Sequence, residues 1–317
     1  MIKQNGLKLA YLAAVLNATI IGFSFLFVKV ALEYTSPFDM LAYRFSASFA
    51  GMSIPVIFGW IKLNYHGKPL YKVLLLATMY PLGFFTFQTF GLEHATSAAG
   101  GILFAFTPIA TMILASIFLK ERTTLLQKLS IFMSVFGVVF IFIMKGSSLN
   151  LSNLTGIFLL LTSCMAVAGY SVLARSLLKT FTPVEISYFM LGTGFIVFLV
   201  ISLTNHSITG TLDDFFVPLT SGTFILSIFY LGVMSTLITA LATSYALSKI
   251  EASQANVFTN LSTIIAIAAG VIFLDENIST YHIIGSGLII AGVLGTNLLG
   301  QKMQNEDSTN ALRERAN

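Results

Sequence analysis

The sequence predicts an all-α integral membrane protein, with ten transmembrane helices arranged as two inverted five-helix repeats. Three observations predict it. First, 56% of the 317 residues are hydrophobic and only 9% are charged, with a mean hydropathy of +0.87; soluble chains average about 45–50% apolar and about 25% charged. Second, ten apolar runs long enough to cross a bilayer follow one another along the chain. Third, the stretch from Phe118 to Gly137 recurs in outline from Phe273 to Gly292, with Phe118/Phe273, Leu119/Leu274, Glu121/Glu276 and Gly137/Gly292 in register and Thr124/Ser279 a near match.

A hydrocarbon core of about 30 Å needs about 20 helical residues at about 1.5 Å each. The runs that meet this fall at 9–32, 38–60, 70–92, 97–119, 127–144, 154–177, 184–204, 221–248, 253–274 and 281–300. Lipid offers no partner for an unpaired backbone group, and runs this long do not suit barrel strands, so each is predicted to be helical. Most connections are very short, which makes neighbouring spans antiparallel hairpins. The longest, 205–220, carries Asp213 and Asp214 but no domain. Lys3 and Lys8 precede the first span without a small-residue cleavage site, so that span reads as retained. The polar tail after Lys302 is expected to be disordered. Gly287, Ala291 and Gly295 in span 10 have the spacing of a close-packing ridge.

Orientation follows from the basic residues, which are retained on the cytoplasmic side. With the N-terminus inside, every one of the 17 Lys and Arg except Lys29, Arg44 and Lys145 falls on a cytoplasmic segment or helix end. Both termini are therefore expected in the cytoplasm, in a multi-pass protein of the cell membrane.

The start of each half tests the repeat. At an offset of 146, Lys29 aligns with Arg175, Pro37 with Pro183 and Asp39 with Glu185; the offset grows to 155 across the longer loop of the second half. Five spans per half is an odd number, so the halves lie in opposite orientations, as in secondary transporters whose solute site sits between them. The units are expected at 1–146 and 147–301, followed by the tail 302–317.

At several points the residues resemble a known family. Gly22 and Lys29 in span 1, the Pro37 turn, AYRF with Arg44 in span 2, GLEHATSAAG before span 4, Pro108 within it and FLKE after it are similar to the EamA-like family of the drug/metabolite transporter superfamily. The resemblance covers residues 9–300 and implies a ten-helix carrier with a central cavity, peripheral spans 5 and 10, and alternating access. Two positions depart from the pattern. Ile21 stands where an aromatic residue is common, and Thr263 where span 9 is expected to carry a proline matching Pro108.

Candidate solute ligands follow from cost. A charge at the bilayer centre costs about 2.5–3.5 kcal/mol on insertion scales, so Lys29 and Arg44 come first. Lys29 has two readings, a cavity ligand or a side chain that snorkels to water or pairs with Glu33. Arg44 lies about 9 Å in from the start of span 2 and is expected to face the cavity, where its planar fork suits a carboxylate. In span 9, Asn256, Thr259, Asn260 and Thr263 share one helical face, placed either to line the cavity or to bond a neighbouring helix. Gln88, Tyr170, Tyr188 and the row Ser235, Thr239, Thr243 add weaker candidates for which packing is an alternative, and Tyr245 fits an interfacial belt.

Enzyme signatures are missing. The single Cys164 excludes an internal disulfide or thiolate cluster, the four histidines are too dispersed for a metal motif, and nothing resembles a phosphate-cradling loop. No cofactor and no nucleic-acid partner is expected, only a small solute and the bilayer, for a monomer or homodimer. The sequence thus points to a carrier for a small metabolite, an amino acid or related carboxylate, moving outward. Efflux of amphipathic drugs and a non-transporting scaffold or sensor are the alternatives. No Asp or Glu lies mid-span to relay protons; Glu93-His94 is either a coupling pair or a solvated loop pair.

Overall fold

The structure is a computed structural model that describes residues 2–94, 103–144, 154–274 and 279–316, and every regular element among them is helical. We number ten helices to follow the ten spans. α1 is Ile2–Leu32 and α2 Pro37–Ile57; α3 runs as Leu70–Ala77, a kinked stretch Thr78–Gly83 in which Tyr80 leaves helical geometry, and Phe84–His94. α4 is Thr107–Phe118, α5 Leu125–Met144, α6 Leu154–Leu177 and α7 Pro183–Thr209. α8 runs as Gly222–Phe229, a π-helical stretch Tyr230–Ile238, and Thr239–Lys249; α9 as Ala252–Val257, a 3-10 turn Phe258–Asn260, and Leu261–Leu274; α10 is Thr280–Ala316. Eight helical stretches among the described residues are long and apolar enough to cross a membrane, and α4 is a shorter apolar one.

One expectation changes and one gains detail. The start of span 4, predicted at residue 97, lies outside the described residues; residues 103–104 are helical, a turn at 105–106 interrupts them, and the helix resumes at Thr107 with Pro108 in its first turn, where the amide hydrogen that proline lacks is not needed. α10 does not stop at the membrane edge but continues through the polar tail to Ala316, a stretch with no proline or glycine after Gly300 to end it.

Both halves are irregular at matching places. The third helix of each half departs from regular α-helix, by a kink at Tyr80 in α3 and by the π-helical stretch Tyr230–Ile238 in α8, and the fourth is interrupted near its start, by a turn at residues 105–106 and by the 3-10 turn Phe258–Asn260. Irregular backbone at this depth survives only where protein groups replace the lost hydrogen bonds. At the second helix the two starts also match: Pro37 and Pro183 occupy the first turn, and Ser36 and Thr182 cap it.

α2 packs along α7 at the centre, and α5 packs along α10 at the edge. Phe45 and Phe198, both fully buried, meet in the first contact at 5.2 Å between ring centroids. The second is closer. A Cβ on Gly292 would lie 2.5 Å from the Ser130 oxygen and the Ser134 nitrogen, so only glycine lets these backbones approach. The expected ridge is turned: Gly287 and Ala291 are exposed, whereas Gly285, Ile289 and Gly292 form the seam, with Gly295 reaching Ser130. Both faces of α10 carry small residues at suitable spacing, and only the position of α5 chooses between them. Phe132, Phe136, Ile283, Ile284, Leu294 and Leu298 remain exposed on the outer faces of this pair, where lipid covers them.

Candidate functional site

Arg44 is a buried charge, 7% exposed on α2 and enclosed by groups from both halves. Its Nε donates to Thr236 Oγ1 at 2.5 Å, and its Nη2 donates to the Ser235 carbonyl at 3.2 Å and to Ser235 Oγ at 3.1 Å. The π-helical stretch of α8 supplies these acceptors. Widening the turn there leaves the Ser235 carbonyl available to side chains, and Thr236 Oγ1 donates back five residues to the Leu231 carbonyl at 2.8 Å. Gly232 lets α2 come this close, since a Cβ there would lie 2.6 Å from Ala47 Cβ and 2.9 Å from the Arg44 carbonyl.

The second wall comes from the irregular part of α3. Tyr80 has extended dihedral angles, φ −144° and ψ 122°, inside an otherwise helical run, which breaks the helix at Tyr80-Pro81 and turns the following aromatic residues inward. Phe85 lies under the Arg44 guanidinium, with 5.0 Å from Cζ to the ring centroid, a cation–π arrangement. Tyr80 packs on Phe84, Phe85 and Tyr170, the last at 4.9 Å, and Phe84 meets Phe104 edge-on at 5.4 Å. Ser187 and Ser244 hydroxyls lie 3.2 Å apart nearby, joining α7 to α8. One cation, hydroxyls and tilted aromatic rings thus converge from α2, α3, α6, α7 and α8, between the two halves.

The other predicted residues divide. Tyr170, 4% exposed, belongs to this cluster. Thr239 donates to the Ser235 carbonyl at 2.8 Å and supports it. Tyr188 lies in the α2–α7 contact against Phe49. Gln88 is half-buried on α3, and Thr243 half-buried on α8. Tyr245 packs near the start of α1, 3.5 Å from the Gly6 carbonyl. Within the α9 stripe, Asn260 Nδ2 donates to Ser134 Oγ of α5 at 2.9 Å, Asn256 Nδ2 to the Ala252 carbonyl at 3.3 Å and Thr259 Oγ1 to the Asn256 carbonyl at 2.6 Å, while Thr263 is half-buried. The Lys29, Glu93 and His94 side chains and the whole of Lys145 and Glu276 lie outside the described residues.

Glu121 carries a role that sequence reading missed. Its side chain, 6% exposed, pairs with Arg175 Nε at 3.0 Å and accepts from the Ala252 amide at 3.0 Å and from Ser253 Oγ at 2.9 Å. Arg175 also donates to the Leu247 carbonyl at 2.9 Å and to the Ile250 carbonyl. A carboxylate from the end of α4 therefore caps the start of α9, and an arginine from the end of α6 caps the end of α8. These four helix ends meet on the face that carries the termini. The signal was present in the repeat alignment, because Glu121 and Arg175 each have a repeat partner, Glu276 and Lys29. Among the described residues no three His, Cys, Asp or Glu gather in a way that would hold a metal ion.

Inverted halves around a buried arginine and an aromatic wall, with interrupted helices at its level, define a membrane carrier. The chain belongs to the EamA-like transporter family, which matches it twice, over residues 8–143 and 154–298. It is 44% identical over 289 residues to the uncharacterized transporter YcxC of Bacillus subtilis (strain 168), covering 91% of this chain and 93% of that protein. An uncharacterized transporter of Archaeoglobus fulgidus is 28% identical, covering 89% of this chain and 96% of its own length. A probable terminal-alkyne amino-acid exporter of Streptantibioticus cattleyicolor is 23% identical, covering 69% and 70%. A protein crystal structure superposes with a TM-score of 0.75 at 16% identity, covering 94% of this chain and 99% of that one, a likeness of fold. The protein is thus a multi-pass membrane transporter built of ten helices in two inverted repeats, and not an enzyme.

Proposed function

We propose that the protein exports a small carboxylate-bearing metabolite of the amino-acid type by alternating access, with both termini in the cytoplasm. The observation that carries this reading is the placement of Arg44: a buried cation between the halves, oriented by Ser235 and Thr236 and backed by Phe85. A guanidinium held by one nitrogen pair still presents donors on Nη1, and a carboxylate is the solute group that matches them. The amino-acid exporter among the relatives supports the class and the direction. In this reading the repeats occupy 1–146 and 147–301, and Lys29, Gln88, Tyr170, Asn256, Thr259, Asn260 and Thr263 remain candidates for solute contact at different stages of the cycle. Efflux of amphipathic compounds is the second reading, favoured by the rings of Tyr80, Phe84, Phe85, Phe104 and Tyr170.

The test is counterflow of radiolabelled amino acids in proteoliposomes, with wild type beside Arg44→Lys and Arg44→Ala. The carboxylate reading expects flux lost at least tenfold in Arg44→Ala and partly kept in Arg44→Lys, with folded protein in both. Unchanged amino-acid flux in Arg44→Ala, or flux of cationic dyes instead, overturns it.

A further inference from the structure

The two ends of the α2–α7 contact carry the same device built with different bases. Asp39 and Glu185 are repeat partners, each three residues after the Ser or Thr that caps its helix. On the face of the termini, Glu185 receives Lys68 Nζ at 2.7 Å and the Asn64 amide at 3.1 Å, both from the segment after α2. On the opposite face, Asp39 receives His206 Nε2 at 3.1 Å and Ser202 Oγ, both from the end of α7. Each acid is thus tied to a base supplied by the other half. Each base also sits against a ring: Lys68 is 5.4 Å from the Phe181 centroid and His206 5.7 Å from that of Phe215.

The bases differ in one respect. A lysine keeps its charge throughout the physiological range, whereas histidine is the side chain whose charge ordinarily changes between pH 5 and 8. We infer that His206 and Asp39 form a proton-binding site that sets the strength of the tie between the halves on the face opposite the termini, while Lys68–Glu185 is its proton-insensitive twin. Imidazolium fits the surroundings, because both ring nitrogens then donate, Nε2 to Asp39 Oδ2 and Nδ1 to Thr211 Oγ1 at 2.8 Å. Neutral imidazole keeps one donor: Nε2–H still bonds Asp39 while Nδ1 accepts from the Thr211 hydroxyl, but the attraction between opposite charges is lost and the tie weakens. Acid therefore tightens this tie and alkali loosens it. The described titratable groups on the elements beside the imidazole are Tyr43 of α2, whose hydroxyl donates to the Phe215 carbonyl, and Asp213 and Asp214, exposed on the short helix Leu212–Phe216 that packs on α7; Glu33 is exposed in the turn before α2. The inference adds to the carrier reading and does not depend on the solute.

Spin-label distances test it on the full chain in nanodiscs, in a Cys164→Ser background. One label pair, Tyr34→Cys with Leu212→Cys, spans the His206 face; a second, His66→Cys with Thr180→Cys, spans the Lys68 face. From pH 8 to pH 5.5 the first pair is expected to gain short distances over long ones by roughly fivefold, as an imidazolium–carboxylate ion pair replaces a bond from a neutral donor. The second pair stays flat. His206→Lys holds the first pair in the acid state at every pH, and His206→Gln and Asp39→Asn each abolish the response. A wild-type pair that does not respond, or a response that persists in either His206→Gln or Asp39→Asn, overturns the assignment. Flux measurements play no part, so failure here and failure of the Arg44 test are separable.

Discussion

Glu121 and Arg175 illustrate how single residues act in this protein through helix ends. Helix termini leave amides and carbonyls without partners, and within a membrane protein those groups need protein donors and acceptors. Glu121 answers two such donors at the start of α9, the Ala252 and Ser253 amides, and Arg175 answers two carbonyls at the end of α8. We expect Glu121→Ala to destabilise the protein by about 1–3 kcal/mol, the cost of leaving partly buried donors without their acceptor. Glu121→Gln keeps an acceptor and is expected to lose less. Thermal unfolding in detergent reads both, and equal melting temperatures for wild type and Glu121→Ala would remove Glu121 from this role. Outside the spans, Tyr65 follows the same logic. Its hydroxyl donates to the Glu185 carbonyl at 2.9 Å, and burial, reinforced by Glu185, pushes the phenol well above its usual range, so it stays a donor.

At the scale of elements, the departures from regular helix do more than the regular turns. The π-helical stretch of α8 turns Ser235 and Thr236 toward Arg44, and the break at Tyr80 sets the aromatic wall opposite them. The third and fourth helices of both halves are irregular at matching places, so the pattern belongs to the repeat. The α5–α10 pair shows the reverse case, two regular helices held close by missing side chains. Gly292→Leu would drive a side chain into Ser130 and Ser134, and overpacking of this kind costs about 1–3 kcal/mol or more. Gly287→Leu, on the exposed face of the same helix, is expected to cost nothing measurable. A melting temperature that falls for Gly287→Leu and not for Gly292→Leu would mean that the seam lies on the other face.

At the scale of the molecule, the charge distribution and the inverted halves make one prediction. With the termini in the cytoplasm, a cysteine at His66 is reached by a membrane-impermeant thiol reagent only after cells are opened, and one at Leu212 is reached from outside. The opposite labelling would invert the proposed orientation and the direction argument with it. Cys164 is buried and does not obscure the result when replaced by serine.

Hydrophobic runs, the basic bias and the repeat registers Asp39/Glu185 and Glu121/Glu276 are properties of the chain alone, and they determined the membrane class, the ten spans and the inverted plan. Arg44 stood out as a candidate in the chain alone, since a charge within an apolar span is costly wherever the helix turns. Which partner each polar residue takes was decided by tertiary structure. Asn260 bonds Ser134 of α5, and Glu121, which the sequence showed only as a repeat match, is drawn in beneath α9. His206 looked isolated in sequence and meets Asp39 across 167 residues. Helical periodicity gives the face a residue occupies but not the helix that face will meet, and local propensity does not announce a π-helical stretch. Both depend on close approach of distant segments, so the spans were set by transfer energy along the chain and the site by packing between its halves.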